Sequence, residues 1–408
     1  MKASYQIYTL PNGARLVHQH CESKVAHIAL FVNAGSRNES EQESGLAHLI
    51  EHLIFKGTTK RKSIQIINRM ESVGGDINAY TSKEETCIYS TFTTEYYYRA
   101  MELLADIYCN ASFPEKELLK EKNVVLEEIR TYKDSPDEQI IDEFENIIFA
   151  GHPLGKYILG TKKTVNSISH KNILAFKEKY YNAQNIVLCS TGNISFKKAI
   201  AYFNSLFSSL QSGTNNIPEN TNPIYIPFKK TVAKKNYQAH CIIGNIAYDA
   251  HNELRFPLAL LSNYLGGPGM NTLLNLGIRE KYGLTYTIES SFQTYSDAGV
   301  FAIYFGVEHP SLEKCVGLVY NELRKLRENK ISTLKLHQAK KQFCGQLIIA
   351  NESKVNELMA VGKNMLVKNK PFLLEETIEK IENINAEELQ NIANEIFNSD
   401  SLSTYIYD

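Results

Sequence analysis

Apolar positions along the chain fall into two kinds of run, and the order of those runs repeats. Residues 27–32 (HIALFV) form a short apolar run with strand character, and 45–56 (GLAHLIEHLIFK) carry apolar residues at helical spacing. Residues 78–92 then alternate as a strand pair, and helical patterns follow over 95–108 and 115–132. The succession returns in the second half. Residues 239–246 are strand-like, 256–266 (FPLALLSNYLG) are apolar and helical, 285–305 alternate, and 311–327 and 333–350 are helical. This predicts a duplicated domain of about 200 residues, a normal domain size. Between the copies, 211–223 (QSGTNNIPENTNP) is polar, carries two prolines and follows neither period, so it reads as a linker. The expected organisation is a first domain over 1–210, a linker over 211–222 and a second domain over 223–408. Strands and helices in this mixture place the chain in the α+β class.

The halves become informative where they differ. Laying 45 on 256 without gaps sets His48, Glu51 and His52 opposite Ala259, Ser262 and Asn263, and laying 115 on 333 sets Glu128 opposite Gln346. Groups able to ionise or ligate a metal in one copy face none in the other, which implies a single site.

His48-Leu-Ile-Glu51-His52 sits inside the amphipathic run. Four helical residues advance about 400°, so His52 returns to nearly the face of His48 one turn along. Two imidazoles so placed can ligate one ion, with Glu51 beside the gap. A lone histidine there would read as a packed or solvated side chain, but the pair within an apolar helix needs polar partners. A catalytic zinc takes a third protein ligand and keeps a position open for water. The pattern over 115–132 offers Glu121 and Glu128, two turns apart on one face, with Glu127 rotated about 100° from Glu128. Spacing alone leaves these acids as open to solvation as to ligation.

Composition narrows the setting. The 408 residues are 43% apolar and 22% charged, and 44 Lys+Arg balance 45 Asp+Glu for a net charge of -1. That balance removes the bulk electrostatic case for nucleic acid or an anionic membrane. The longest apolar runs, such as 25–32, are too short to span a bilayer, and the start MKASY leads into strand-like alternation without a signal-peptide core. Seven scattered cysteines without a CxxC pair fit buried thiols in a reducing compartment, so a cytoplasmic protein is expected. Lys229, Lys230, Lys234 and Lys235 read as a solvated face. Gly266, Gly267 and Gly269 lack a following Lys-Ser/Thr and read as a turn rather than a phosphate loop.

HxxEH is the inverse of the zincin HExxH. Its surroundings resemble the M16 (pitrilysin-type) peptidases, in particular the short subgroup with the mitochondrial processing peptidase β-subunit and its bacterial relatives. The resemblance spans nearly the whole chain: LPNGARLV (10–17), GSRNE (35–39), GLAHLIEHLIFKGT (45–58), ESVGGDINAYTSKEETCIY (71–89), EKNVVLEEI (121–129), HPLGKYILGT (152–161), LGGPGMNTLL (265–274) and IREKYGLTY (278–286). It implies two homologous domains, each a mostly antiparallel sheet packed with helices, of the metalloprotease LuxS/MPP-like type. The family's third ligand is a Glu about 76 residues after the second His, which falls on Glu128. The implied centre is one Zn²⁺ per chain on His48, His52 and Glu128, with Glu121 as a helper carboxylate or a solvent-facing one.

The resemblance also implies the chemistry. Glu51 is the general base on zinc-bound water in peptide-bond hydrolysis, and Arg279 and Tyr286 hold substrate and stabilise the intermediate. Asn78, Ala79 and Tyr80 resemble the family's substrate-binding edge strand, where a peptide adds by main-chain hydrogen bonds. Phe55 is a candidate pocket wall or a core residue. The expected function is a zinc endopeptidase acting on unfolded peptides or short polypeptides in an enclosed chamber, as a bacterial, cytoplasmic homodimer. The alternative is a non-catalytic scaffold or partner subunit, disfavoured because both HxxEH and the Arg/Tyr pair are present.

Overall fold

The computed structural model describes residues 4–213 and 223–408; most of the expected linker thus lies outside the described residues. The chain forms two compact units, each built on one sheet. The first has β1 (Gln6–Thr9), β2 (Arg15–His20), β3 (Val25–Val32), β4 (Asn78–Thr81), β5 (Thr86–Thr93) and β6 (Ile186–Gly192), in the order β1-β2-β6-β3-β5-β4. The second has β7 (Lys229–Val232), β8 (Ala239–Ala247), β9 (Thr285–Thr294), β10 (Gly299–Val307) and β11 (Ser403–Tyr407), in the order β7-β11-β8-β10-β9.

The two orders are one topology. In each sheet one parallel pairing (β2 with β6, β7 with β11) leads into three antiparallel ones, and among the described residues only β1 has no counterpart. The duplication read from the apolar pattern is therefore a duplication of fold, and both sheets are mostly antiparallel.

The central strands explain themselves by burial. β3 (VAHIALFV) turns Ile28, Leu30 and Val32 to one face, where they meet the helices Leu46–Ile54, Tyr97–Asn110 and Phe196–Phe207. Its alternate residues Ala29 and Phe31 face the other way and are also fully buried. A strand covered on both faces needs a near-continuous apolar run, which is what the sequence displays.

What covers the second face was not legible in the apolar pattern. Of the described residues, the first unit comprises 4–130, 156–213 and 350–373, and the second takes 131–155, 223–349 and 374–408. Each unit thus borrows a helical segment from the opposite half of the sequence. Helix Lys354–Lys368 lays Leu358, Val361 and Met365 on Val17, Phe31, Val187 and Cys189 of the first sheet. Helix Pro136–Ile148 lays Ile140, Phe144 and Ile148 on Ile242, Val300, Tyr405 and Tyr407 of the second. Each such apolar side chain contributes about 1.5–3 kcal/mol on burial, so both helices are integral to their units. The units therefore differ from the expected division at 211–222 in these two segments. Among the described residues no helix is long and apolar enough to cross a membrane.

Close approach fixes one glycine. A Cβ at Gly362 would run into the ring of Phe31, whereas one at Gly317, mid-way along helix Leu312–Glu328, would meet nothing within 4 Å. Gly362→Val is expected to destabilise the protein by about 1–3 kcal/mol through overpacking. Gly317→Ala is expected to be neutral or to stabilise by about 0.5–1 kcal/mol, since it removes only backbone entropy. Urea unfolding of both variants checks this; a Gly362→Val midpoint equal to wild type would refute the packing of this helix on β3.

Candidate metal centre

The helix Leu46–Ile54 is anchored before its histidines begin. Gly45 enters it at φ 94°, a left-handed conformation that suits glycine. The buried Glu39 carboxylate accepts from the Gly45 N–H (2.9 Å) and the Ala47 N–H (2.7 Å), filling donors that a helix start leaves open. Burial pushes the Glu39 carboxyl up to about 8, against the pull of those two donors and of Lys156. Leu46, Leu49, Ile50 and Leu53 sink into the core of the first unit, and this fixes the direction in which His48, Glu51 and His52 project.

The two imidazoles lie one turn apart with ring centroids 4.7 Å from each other. From helix Glu115–Lys133 Glu128 reaches both: its Oε2 is 3.7 Å from His48 Nε2 and 3.6 Å from His52 Nε2. One ligand atom from each of the three lies within 4.8 Å of the others. Those separations exceed hydrogen-bond length and suit an ion. Four bonds of about 2.0–2.1 Å around a tetrahedral centre set donors roughly 3.4 Å apart. His48 Nδ1 is buried and has no hydrogen-bond partner among the described residues, so this ring is free to turn its Nε2 to the shared point. The donor set, two nitrogens and one carboxylate oxygen, is a zinc set with a position left open.

The ambiguity among the acids is resolved by how their helix packs. Leu118, Glu121, Val125 and Ile129 form its buried face, and Glu128 sits at the rim of that face. Glu127 is rotated into solvent, where it pairs with Arg130 at 2.7 Å. Glu121 is buried, and its Oε2 accepts from His52 Nδ1 at 3.3 Å. A carboxylate behind a ligating histidine fixes the tautomer that presents Nε2 to the metal. Of the two readings for Glu121, the solvent-facing one is excluded by this placement.

Charge follows the same arrangement. Burial and the neighbouring His52 push the His48 imidazole down to about 4, so it is neutral and able to ligate at pH 7. Burial also lowers His52, but the neighbouring carboxylates of Glu128, Glu121 and Glu51 outweigh it and raise the group overall. The adjacent His52 imidazole, helped by His48, holds Glu128 below the usual carboxylate range. Burial raises the Glu51 carboxyl, opposed by Thr81 on β4. Glu51 Oε2 is itself buried with no hydrogen-bond partner among the described residues.

The remaining expected residues divide between the units. β4 is an edge strand, paired on one side with β5, with Asn78 exposed and Ala79 and Tyr80 half-buried. Phe55 ends the metal-bearing helix and packs against the core of the first unit. Arg279 and Tyr286 belong to the second unit. Arg279 lies in the π-helical stretch Asn275–Glu280, 4.0 Å from Glu280, and Tyr286 is 85% exposed near the start of β9. Sequence reasoning gave no role to Glu39, which ends the GSRNE stretch but lies too far ahead of the helix for an ordinary capping box.

Known proteins resemble this chain over its whole length. Residues 15–162 match the family model described as insulinase (peptidase family M16), and 167–343 match the peptidase M16 inactive domain. An uncharacterized zinc protease of Rickettsia felis is 36% identical over 410 aligned positions, covering 100% of this chain and 98% of the relative. Another from Bacillus subtilis is 32% identical, covering 96% of both. Among solved structures, a protease from Helicobacter pylori superposes with TM-score 0.89 at 23% identity, covering 100% of both chains. A protein from Pseudomonas fluorescens, described as peptidase M16 inactive domain, gives TM-score 0.91 at 22% identity over 99% of this chain and 97% of the other. The structural likenesses establish the fold.

Removing the acceptor behind His52 tests the centre. Glu121→Ala is expected to raise the zinc dissociation constant about 10–100-fold, read by competition with a chromophoric chelator. Unchanged affinity would show that Glu121 does not support the ligand.

Proposed function

Because the chain belongs to peptidase family M16, we propose that it is a zinc-dependent endopeptidase acting on unfolded peptides or short polypeptides. The observation that carries this reading is the meeting of His48, His52 and Glu128 with the unpartnered Glu51 Oε2 one residue away on the same helix. Bound zinc would polarise the scissile carbonyl and acidify the attacking water. Glu51 takes the proton from that water as its oxygen bonds to the carbonyl carbon, and returns it to the departing amine as the C–N bond breaks. Its raised proton affinity, caused by burial, suits a group that must both accept and release a proton near neutrality. β4 is the surface on which an extended substrate would align, through the main-chain groups of Asn78, Ala79 and Tyr80.

The reading extends to parts of the chain that act on the substrate rather than on the metal. Tyr286, an exposed residue, is assigned as a donor to the developing oxyanion, and Arg279 as a holder of substrate. Enclosure of the peptide in a chamber and assembly as a homodimer complete the proposal, and sedimentation equilibrium returning one chain would remove the dimer. All seven cysteines are free, in keeping with a reducing bacterial cytoplasm.

The test pairs metal content with cleavage of a panel of unstructured peptides. Wild type and Glu51→Gln should each bind one zinc, and the variant should lose about 10²–10⁴-fold in turnover, since a base and not a ligand is removed. In the same assay Tyr286→Phe should lower kcat/KM by about 10²-fold with zinc retained. Full zinc in the wild type with no cleavage of any peptide would favour the non-catalytic partner subunit.

A further inference from the structure

One charged side chain at the metal centre has no part in the reaction described above. Lys56 lies four residues beyond His52, just past the end of the metal-bearing helix, where its backbone N–H closes the last turn onto Leu53 O at 3.0 Å. Its Nζ is 2.9 Å from Glu121 Oε1. The other oxygen of the same carboxylate, Oε2, accepts from His52 Nδ1 at 3.3 Å. Glu121 is buried, and its two oxygens are divided between one cation and one imidazole. The acid one turn earlier, Glu117, pairs with Lys120 at 2.7 Å.

We propose that Lys56 is a positioning residue of the metal centre: by gripping Glu121 Oε1 it holds Oε2 where it must lie to accept from His52 Nδ1. The inference rests on the metal-site reading and deepens it. A Glu side chain has three rotatable bonds, and one contact of 3.3 Å, at the long end of the hydrogen-bond range, does little to select a single rotamer. A second, charge-assisted contact on the opposite oxygen does select it. Both Lys56 and His52 rise from the same short helix end, so Glu121 is gripped by two points whose spacing the helix itself sets. The consequence reaches the ion through two links: Lys56 orients Glu121, Glu121 orients the His52 ring and its proton, and Nε2 is left aimed at the shared point with Glu128.

The sign of the effect separates this role from simple electrostatics. A cation near the centre repels a divalent metal, so deleting Lys56 for its charge alone would tighten zinc binding. Deleting it as a positioning residue loosens zinc binding, because the ring behind Nε2 loses its support.

The experiment measures zinc affinity by competition with a chromophoric chelator, and the visible spectrum of the cobalt(II)-loaded protein, for Lys56→Met, Lys56→Arg, Glu121→Ala and the double variant Lys56→Met/Glu121→Ala. Lys56→Met is expected to raise the zinc dissociation constant roughly 3–10-fold, less than loss of the carboxylate itself. Its cobalt spectrum should shift in the direction seen for Glu121→Ala. Lys56→Arg, which restores a cationic donor, should stay within about two-fold of wild type with the wild-type spectrum. In the Glu121→Ala background, Lys56→Met should cause no further loss of affinity. Tighter or unchanged binding in Lys56→Met, or an additive loss in the double variant, overturns the proposal. Should Lys56→Met fold poorly by circular dichroism, Lys56→Gln takes its place under the same criteria. None of these readouts requires cleavage: a zinc-loaded wild type that cleaves no peptide sinks the peptidase reading and leaves Lys56 where it is.

Discussion

A buried and a half-buried imidazole on one short helix must share a point in space with a carboxylate from another helix, and the first unit is arranged around that demand. The polar groups involved are costly to bury unpaired, so each neighbouring contact does structural and chemical service at once. Glu39 satisfies the start of the helix, apolar residues seat its inner face, and Glu121 and Lys56 hold the outer ring of His52. Glu128 can then remain half-exposed at the rim, where an ion and a water have access. A looser helix would leave the same residues present but a few ångströms apart, which for a metal centre is the difference between binding and none.

The second unit shows what the same topology does without that demand. Its helix Arg255–Gly266 stands where the metal-bearing helix stands in the repeat, and carries Ser262 in the place of Glu51. Ser262 is buried, and it is satisfied locally: Ser290 on β9 donates to its backbone carbonyl at 2.6 Å, and the two hydroxyls lie 3.2 Å apart. The position has become an ordinary polar contact between helix and sheet. Fold is therefore not the source of the chemistry; side chains placed on one copy of it are.

How much of this was legible depended on distance along the chain. The duplicated plan could be read because a helix or strand writes its burial into every third, fourth or second residue, and the strands β3, β5, β8 and β10 and the principal helices lie where those periods put them. The pair His48/His52 was legible for the same local reason. The two helices Pro136–Ile148 and Lys354–Lys368 were not, since an amphipathic stripe records that a face is buried but not which sheet buries it. The roles of Glu39 and Lys56 were invisible as well. Their roles are contacts to a backbone N–H and to a carboxylate of another helix, and no spacing encodes either.

By itself, then, the sequence determined a two-copy α+β chain with one metal-binding face, carried by residues that one helical turn brings together. Resemblance to a family, not periodicity, singled out Glu128 from its neighbours. Only the tertiary structure decided how these acids are sorted: the burial of Leu118, Val125 and Ile129 rotates Glu128 toward the histidines, Glu121 behind His52 and Glu127 away. The same packing decided which helices complete each unit. A side chain's direction across an element is local and repeats along the chain. Its partner on another element depends on how two surfaces dock, and that is set by the whole core at once.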